Sequence, residues 1–269
     1  MPVNIGQIEK CINSLAFKFI ENPYNFFTEA DLHSYLYYFM LRSGSLNLKV
    51  QYQIGTNTNI KQKTVLLHRE YPTFFRYTKK DLKNYTGNNP WDFANNFLLN
   101  NKGGRGHYDF VILNDKFISK YDFEFVRARN YEILKSKLNL AKPISPVPFT
   151  AAIEFKYLIN NSKNILEEVE LDFKKLSLTK GLGHAETIYM LIFVLLDNDA
   201  KGKDIYKKVK DYYQSNHPYL KVLLVFVNPN PETKKSSKYR IFYSNNQGSW
   251  NNRINKLSSK IEDLVTSNW

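Results

Sequence analysis

Asp109, Glu154 and Lys156 are the residues with chemistry to explain, because each places a charge inside an otherwise apolar stretch. Asp109 lies in His107-Tyr108-Asp109-Phe110-Val111-Ile112-Leu113, and the other two lie in Ala151-Ala152-Ile153-Glu154-Phe155-Lys156-Tyr157-Leu158. Both stretches read as β-strands, where an ionised side chain is expensive to bury unless it finds a partner or a metal. Side chains alternate faces along a strand. Glu154 and Lys156 therefore share one face, about 6.6 Å apart along the chain, while Ile153, Phe155 and Tyr157 point to the other. If the two strands pair, Asp109 comes near Glu154, and adjacent carboxylates repel unless a cation sits between them. Hard oxygen ligands in an incomplete set suit Mg²⁺, which keeps waters for chemistry. A lysine on the same face could then orient or help deprotonate a metal-bound water, or neutralise charge growing on a phosphate. The plain alternative is an edge strand with solvated charges. A second Glu-x-Lys, Glu232-Thr233-Lys234, falls in a loop rich in Pro, Ser and Lys and lacks the strand context.

Asp109 followed by Glu154-Phe155-Lys156 on a later strand resembles the PD-(D/E)XK nuclease superfamily, with its restriction-endonuclease-like fold. The approach Gly103-Gly104-Arg105-Gly106-His107-Tyr108 is similar to the turn before that family's first metal-binding aspartate, with Tyr108 where a proline is usual. Asp172-Phe173-Lys174-Lys175-Leu176 resembles the acidic and basic helix that follows the motif in many members. The likeness covers roughly residues 28–196. It implies an α/β fold, a central mixed sheet flanked by helices, with insertions. It also implies Mg²⁺, with Mn²⁺ substituting, bound by Asp109, Glu154 and the carbonyl of Phe155. Lys156 would position the water that attacks a phosphodiester in line. In the family an early-helix glutamate often reaches the metal site, a role that falls to Glu29 here; its plain reading is an acidic residue complementing a helix N-terminus. Many members dimerise to cut both strands, so a homodimer is an expectation as well.

The elements that must position these residues follow from pattern. Ile5, Ile8, Ile12, Leu15, Phe19 and Ile20 recur at helical spacing. A second helix starts at Thr28, with Asp31 three residues on, runs through Leu32, Leu36, Phe39 and Met40, and stops at Ser43-Gly44. Residues 46–54 alternate as a half-exposed strand, and residues 64–71 read as the first core strand, ended by Pro72, with Glu70 a further possible site carboxylate. Residues 78–102 read as a short helix and a loop. A basic helix is expected over residues 123–138, before Pro143, Pro146 and Pro148 force an extended approach to the Glu154 strand. Then come a helix over 163–180, a buried strand over 187–196, a helix over 201–215 and a buried strand over 220–227. Strand, helix, strand in that order argues for parallel pairing. A loop over 228–238, a short strand over 239–243 and a helix over 253–265 complete the chain. The reading is one domain over 1–269: a helix in 1–27, the core at about 28–196 and a helix-strand-helix extension over 197–269.

At 269 residues with 43% hydrophobic content, the chain is long enough to bury a full core. No stretch reaches the roughly 18 apolar residues of a membrane span. The first residues lack a signal-peptide pattern, and the single Cys11 excludes an internal disulfide, so the cytoplasm is the expected compartment. A net charge of +13 favours an anionic partner, DNA first and RNA second. AT-rich codon usage would also enrich lysine. Candidate backbone contacts are Arg105, Arg127, Arg129, Lys234 and Lys235; a solvated basic surface is their plain reading. The histidines, at 33, 68, 107, 184 and 217, form no close pair suited to zinc, although His107 shares Asp109's face. Motor, zinc-protease and serine-hydrolase motifs are absent. The alternative function is a non-cutting nucleic-acid-binding or protein-interaction module on the same fold.

Overall fold

Apolar runs that alternate too little to face water become the centre of one mixed sheet. The computed structural model describes residues 3–44, 49–53, 61–100, 102–121, 132, 138–159, 165–196, 199–216, 220–229 and 236–243. The strands are β1 (Lys49–Gln53), β2 (Lys61–Val65), β3 (Leu67–Tyr77), β4 (Gly104–Leu113), β5 (Phe149–Ile159), β6 (Ala185–Leu195), β7 (Lys221–Pro229) and β8 (Ser236–Tyr243). β1 and β2 form an antiparallel pair of their own. The other six lie in the order β3-β4-β5-β6-β7-β8. β5·β6 and β6·β7 are parallel, and the remaining pairs are antiparallel. The expected parallel pairing is therefore present.

Helices cover both faces. They are α1 (Ile5–Glu21), α2 (Glu29–Arg42), α3 (Lys79–Asn84), α4 (Pro90–Asn100), α5 (Asp115–Lys120), α6 (Ile165–Gly181) and α7 (Asp199–Asn216). α1 and α2 pack on each other and reach β5, β7 and β8, whereas α6 lies on β5 and β6 with α3 and α4 beside it. Phe19 of α1 stacks edge-on with Phe193 of β6 at 5.1 Å, joining the first helix to the buried central strand. Phe155 is fully buried against the same layer. Burying such a side chain is worth about 1.5–3 kcal/mol.

Four sequence expectations change. Most of the loop expected after the short helix in residues 78–102 is a second helix, α4, which starts at Pro90, where a proline is tolerated in the first turn. Pro72 does not end its strand: β3 runs on to Tyr77, broken from β2 at Leu66. The reason is position, since β3 is the sheet's edge and only one side of it needs ladder donors. The glycine run is not a turn, because Gly104 and Gly106 lie inside β4. A Cβ on Gly106 would collide with the Tyr77 ring, so close packing explains that glycine. Gly103, at φ 73, lies beneath the Tyr77 carbonyl, which would stand 2.7 Å from a Cβ there. The fourth change is in the expected loop over 228–238, whose two ends are strand, in β7 and β8. Most of the expected helix over 123–138, and all of that over 253–265, lie outside the described residues. Among the described residues no helix is long and apolar enough to cross a membrane.

Candidate metal centre at a strand opening

β4 and β5 pair from Leu113 opposite Phe149 to Phe110 opposite Ile153, and the ladder stops there. β5 continues, with Glu154, Phe155, Lys156 and Tyr157 still paired to β6 on its other edge. Carboxylates take over the ladder's role at the opening. Asp109 Oδ2 accepts the Phe155 N–H at 2.6 Å, and Glu29 Oε2 accepts the Tyr157 N–H at 3.0 Å. Such bonds matter because a buried backbone donor without an acceptor costs roughly 1–3 kcal/mol.

Helix α2 is aimed at this opening by its own start. Asp31 Oδ2 accepts the N–H groups of Phe27 and Thr28, each at 2.8 Å, and the Tyr157 hydroxyl donates to the Phe26 carbonyl at 2.7 Å. Glu29, at the first helical position, thus reaches β5 instead of only complementing the helix dipole. Burial pushes its carboxyl above the usual range, and Asp109 adds to this while Lys156 opposes it.

One helical turn on, at the i+4 position, His33 is buried with its ring edge-on to Phe155 at 4.7 Å and to Phe110 at 5.5 Å. Its Nε2 lies 3.9 Å from Asp109 Oδ2 and has no hydrogen-bond partner among the described residues. An Arg69 Nη2 lies 3.4 Å from Nδ1. A guanidinium only donates, so Nδ1 accepts and the neutral ring's proton rests on Nε2. Burial holds the ring's pKa down; Asp109 opposes this, and Arg69 and Lys156 reinforce it. Glu29, His33 and Asp109 each offer one ligand atom within 4.8 Å of one another. Two carboxylates and a buried imidazole nitrogen without a hydrogen-bond partner fit a divalent cation. A ring that ligates through Nε2 moves its proton to Nδ1, which requires Arg69 to swing away.

Glu154 and Lys156 point to the opposite face, toward α6, and form a second cluster there. Lys156 Nζ sits 2.7 Å from Asp172 Oδ2. Lys175 Nζ sits 2.8 Å from Glu154 Oε1 and 3.1 Å from Asp172 Oδ1, and it donates to the His107 carbonyl at 2.9 Å. The Glu154 contact is a close ion pair without hydrogen-bond alignment. Burial alone would lower the Lys156 ammonium's pKa, but Asp172 and Glu29 outweigh it and hold the group protonated. The same holds for Lys175, where Glu154 and Asp172 outweigh burial. Asp172 is lowered despite its burial because both lysines face it. Glu154 is 2% exposed, and burial raises its carboxyl although Lys175 pulls it back.

The structure therefore brings Asp109, Glu29 and the Phe155 backbone together at the opening, whereas Glu154 and Lys156 belong to the cluster on the α6 side, and the ligand group is Glu29, His33 and Asp109 without the expected Glu154. Glu70 is exposed, at a left-handed φ of 49, and is not in that group. The His107 side chain is exposed; its carbonyl is what the cluster uses. Arg105 is half-buried and its guanidinium donates to the carbonyls of Thr73 and Pro72, bracing β3 rather than facing outward. Arg127, Arg129, Lys234 and Lys235 lie outside the described residues. Sequence reasoning passed over His33, although its spacing from Glu29 was a signal. The charges of Asp172 and Lys175 are plain in the sequence, but their partners on β5 are not. No family model, curated protein or solved structure matches this chain.

Proposed function

We propose that the chain is a divalent-metal-dependent endonuclease of restriction-endonuclease-like fold that hydrolyses phosphodiester bonds in DNA. The observation that carries this reading is the opening of the β4·β5 ladder, where Asp109 and Glu29 carboxylates replace the missing strand and Lys156 projects from the same segment. A bound cation would polarise the phosphate and supply a nucleophile near neutral pH. Asp109 and Glu29 would hold it, with His33 as a nitrogen donor. The Phe155 carbonyl leaves the strand on the same edge as its N–H, the edge that faces Asp109, and would offer a further oxygen. An imidazole in the set favours Mn²⁺ over Mg²⁺ as the more tightly held ion.

Lys156 acts as a cation and not as a base, since Asp172 keeps its ammonium protonated. Its charge stabilises the negative charge that grows on the phosphate oxygens during in-line attack. Glu154, tied to Lys175 on the α6 side, stays outside the ligand set of Glu29, His33 and Asp109. A formal net charge of +13 supports a nucleic acid as the anionic partner, DNA before RNA.

The test is cleavage of plasmid, linear, single-stranded and branched DNA, with RNA alongside, in Mg²⁺ and in Mn²⁺. Wild type is expected to cut at least one DNA form, and Asp109→Ala and Lys156→Ala to lose about 100-fold or more. Binding without cleavage by wild type, unchanged by chelation, would replace this reading with that of a non-cutting DNA-binding module.

A further inference from the structure

The contacts of Lys175 are those of a bound cation. Its Nζ is surrounded by three oxygens at 2.8–3.1 Å: Glu154 Oε1, Asp172 Oδ1 and the His107 carbonyl. Two carboxylates and a backbone carbonyl are also the donors that a hard divalent ion takes. An ammonium carries its positive charge on three N–H groups, and three oxygens stand within ion-pair or hydrogen-bond distance of it here. The lysine is buried and its stem comes from α6, so the charge is delivered from behind the sheet rather than from the site's mouth.

Formal charge points the same way. Around the opening, the four carboxylates of Glu29, Asp109, Glu154 and Asp172 face Lys156, Lys175 and, beside His33, Arg69, which leaves one negative charge in excess. One divalent cation takes that balance only one charge past neutral. A second would leave the buried cluster strongly positive, in surroundings where uncompensated charge is costly.

We infer that Lys175 is a resident cation standing where a second metal would bind, and that the site takes a single divalent ion at Glu29, His33 and Asp109. The inference rests on the metal reading above and adds to it a stoichiometry and a residue that sets it. Lys175 is a positioning residue: it holds Glu154 and Asp172, and through Asp172 it fixes Lys156.

The test is Mn²⁺ titration of the full chain, followed by calorimetry and by the electron paramagnetic resonance signal of free Mn²⁺, with no nucleic acid present. Wild type is expected to bind one Mn²⁺ per chain. Lys175→Ala opens the three-oxygen cage and is expected to bind two. If that variant is unfolded without metal, Mn²⁺ is expected to refold it, read by circular dichroism, because the ion takes over the ammonium's role. Two ions on wild type, a folded variant that binds only one, or an unfolded variant that Mn²⁺ does not rescue would each overturn the inference. Zero ions on wild type would remove the metal reading as well. One ion with no cleavage of any substrate would remove the nuclease reading and leave this inference standing.

Discussion

β5 and β6 lie side by side in parallel register, from Phe149 opposite Ala185 to Ile159 opposite Leu195, yet one carries charge and the other carries none over its central run. Glu154 faces Met190 across the pair, and Lys156 faces Ile192. The difference follows from the neighbours on the far edge. β6 is bonded to β7 from Tyr189 opposite Lys221 to Leu195 opposite Val227, so most of its length has a strand on both sides. β5 loses β4 beyond Ile153, and there side chains from α2 and β4 come in to satisfy it. Charge is tolerated where the sheet opens and partners can reach it. An apolar run is what remains where it does not.

The two strands treat titratable groups differently as well. At the opening, burial is offset by pairing: Lys156 with Asp172, Lys175 with Glu154. At the start of β6, His184 is buried between Phe74 and Phe75 with no hydrogen-bond partner for either ring nitrogen among the described residues. It stays neutral instead, and burial depresses its pKa to about 3.

Substitutions at facing positions should separate these two roles. The largest effect is expected from Lys156→Met, which should lower the cleavage rate by about 100-fold to 1,000-fold in single-turnover assays. Its neighbour across the pair, Ile192→Ala, should leave that rate near wild type in the folded fraction but cost about 2–5 kcal/mol in denaturant unfolding. Equal loss of activity in both would erase the distinction between the strands.

A somewhat smaller effect is expected from acid. The His184 value is depressed in the folded state, so the stability it contributes is present above the unfolded value of 6.5 and is lost as pH falls toward 3. The unfolded chain binds a proton there that the folded chain refuses. Between pH 6.5 and about pH 4 the loss is about 3 kcal/mol, and His184→Leu should flatten the stability curve over that window. An unchanged slope in the variant would assign the acid sensitivity to other groups.

The smallest effect is that of Glu29→Gln. The amide oxygen still accepts the Tyr157 N–H, so the fold is kept, while one ligand charge is gone. Mn²⁺ affinity should fall about tenfold, or about 1.4 kcal/mol, with little change in melting temperature. A drop in stability without a drop in affinity would make Glu29 a strand cap alone.

Much of this arrangement was legible in the chain because local pattern decides it. The charges of Asp109, Glu154 and Lys156 stand out against apolar neighbours, and α1, α2, α6 and α7 follow helical spacing closely. Pro72 misled because edge or centre is a property of the sheet, and the Gly104–Gly106 segment misled because the Tyr77 ring that needs its space comes from another strand. His33 looked like one of five scattered histidines until α2 was laid across β5.

By itself, then, the sequence determined where most of the strands and helices run and which residues carry charge into apolar strands, since periodicity is set by neighbours along the chain. Only the tertiary structure decided who partners whom. That Glu29 reaches Tyr157, that Asp109 reaches Phe155, and that Lys175 is drawn to Glu154 depend on where β4 parts from β5 and on which face α2 and α6 lie. These contacts join residues far apart in the chain, and no spacing rule encodes them.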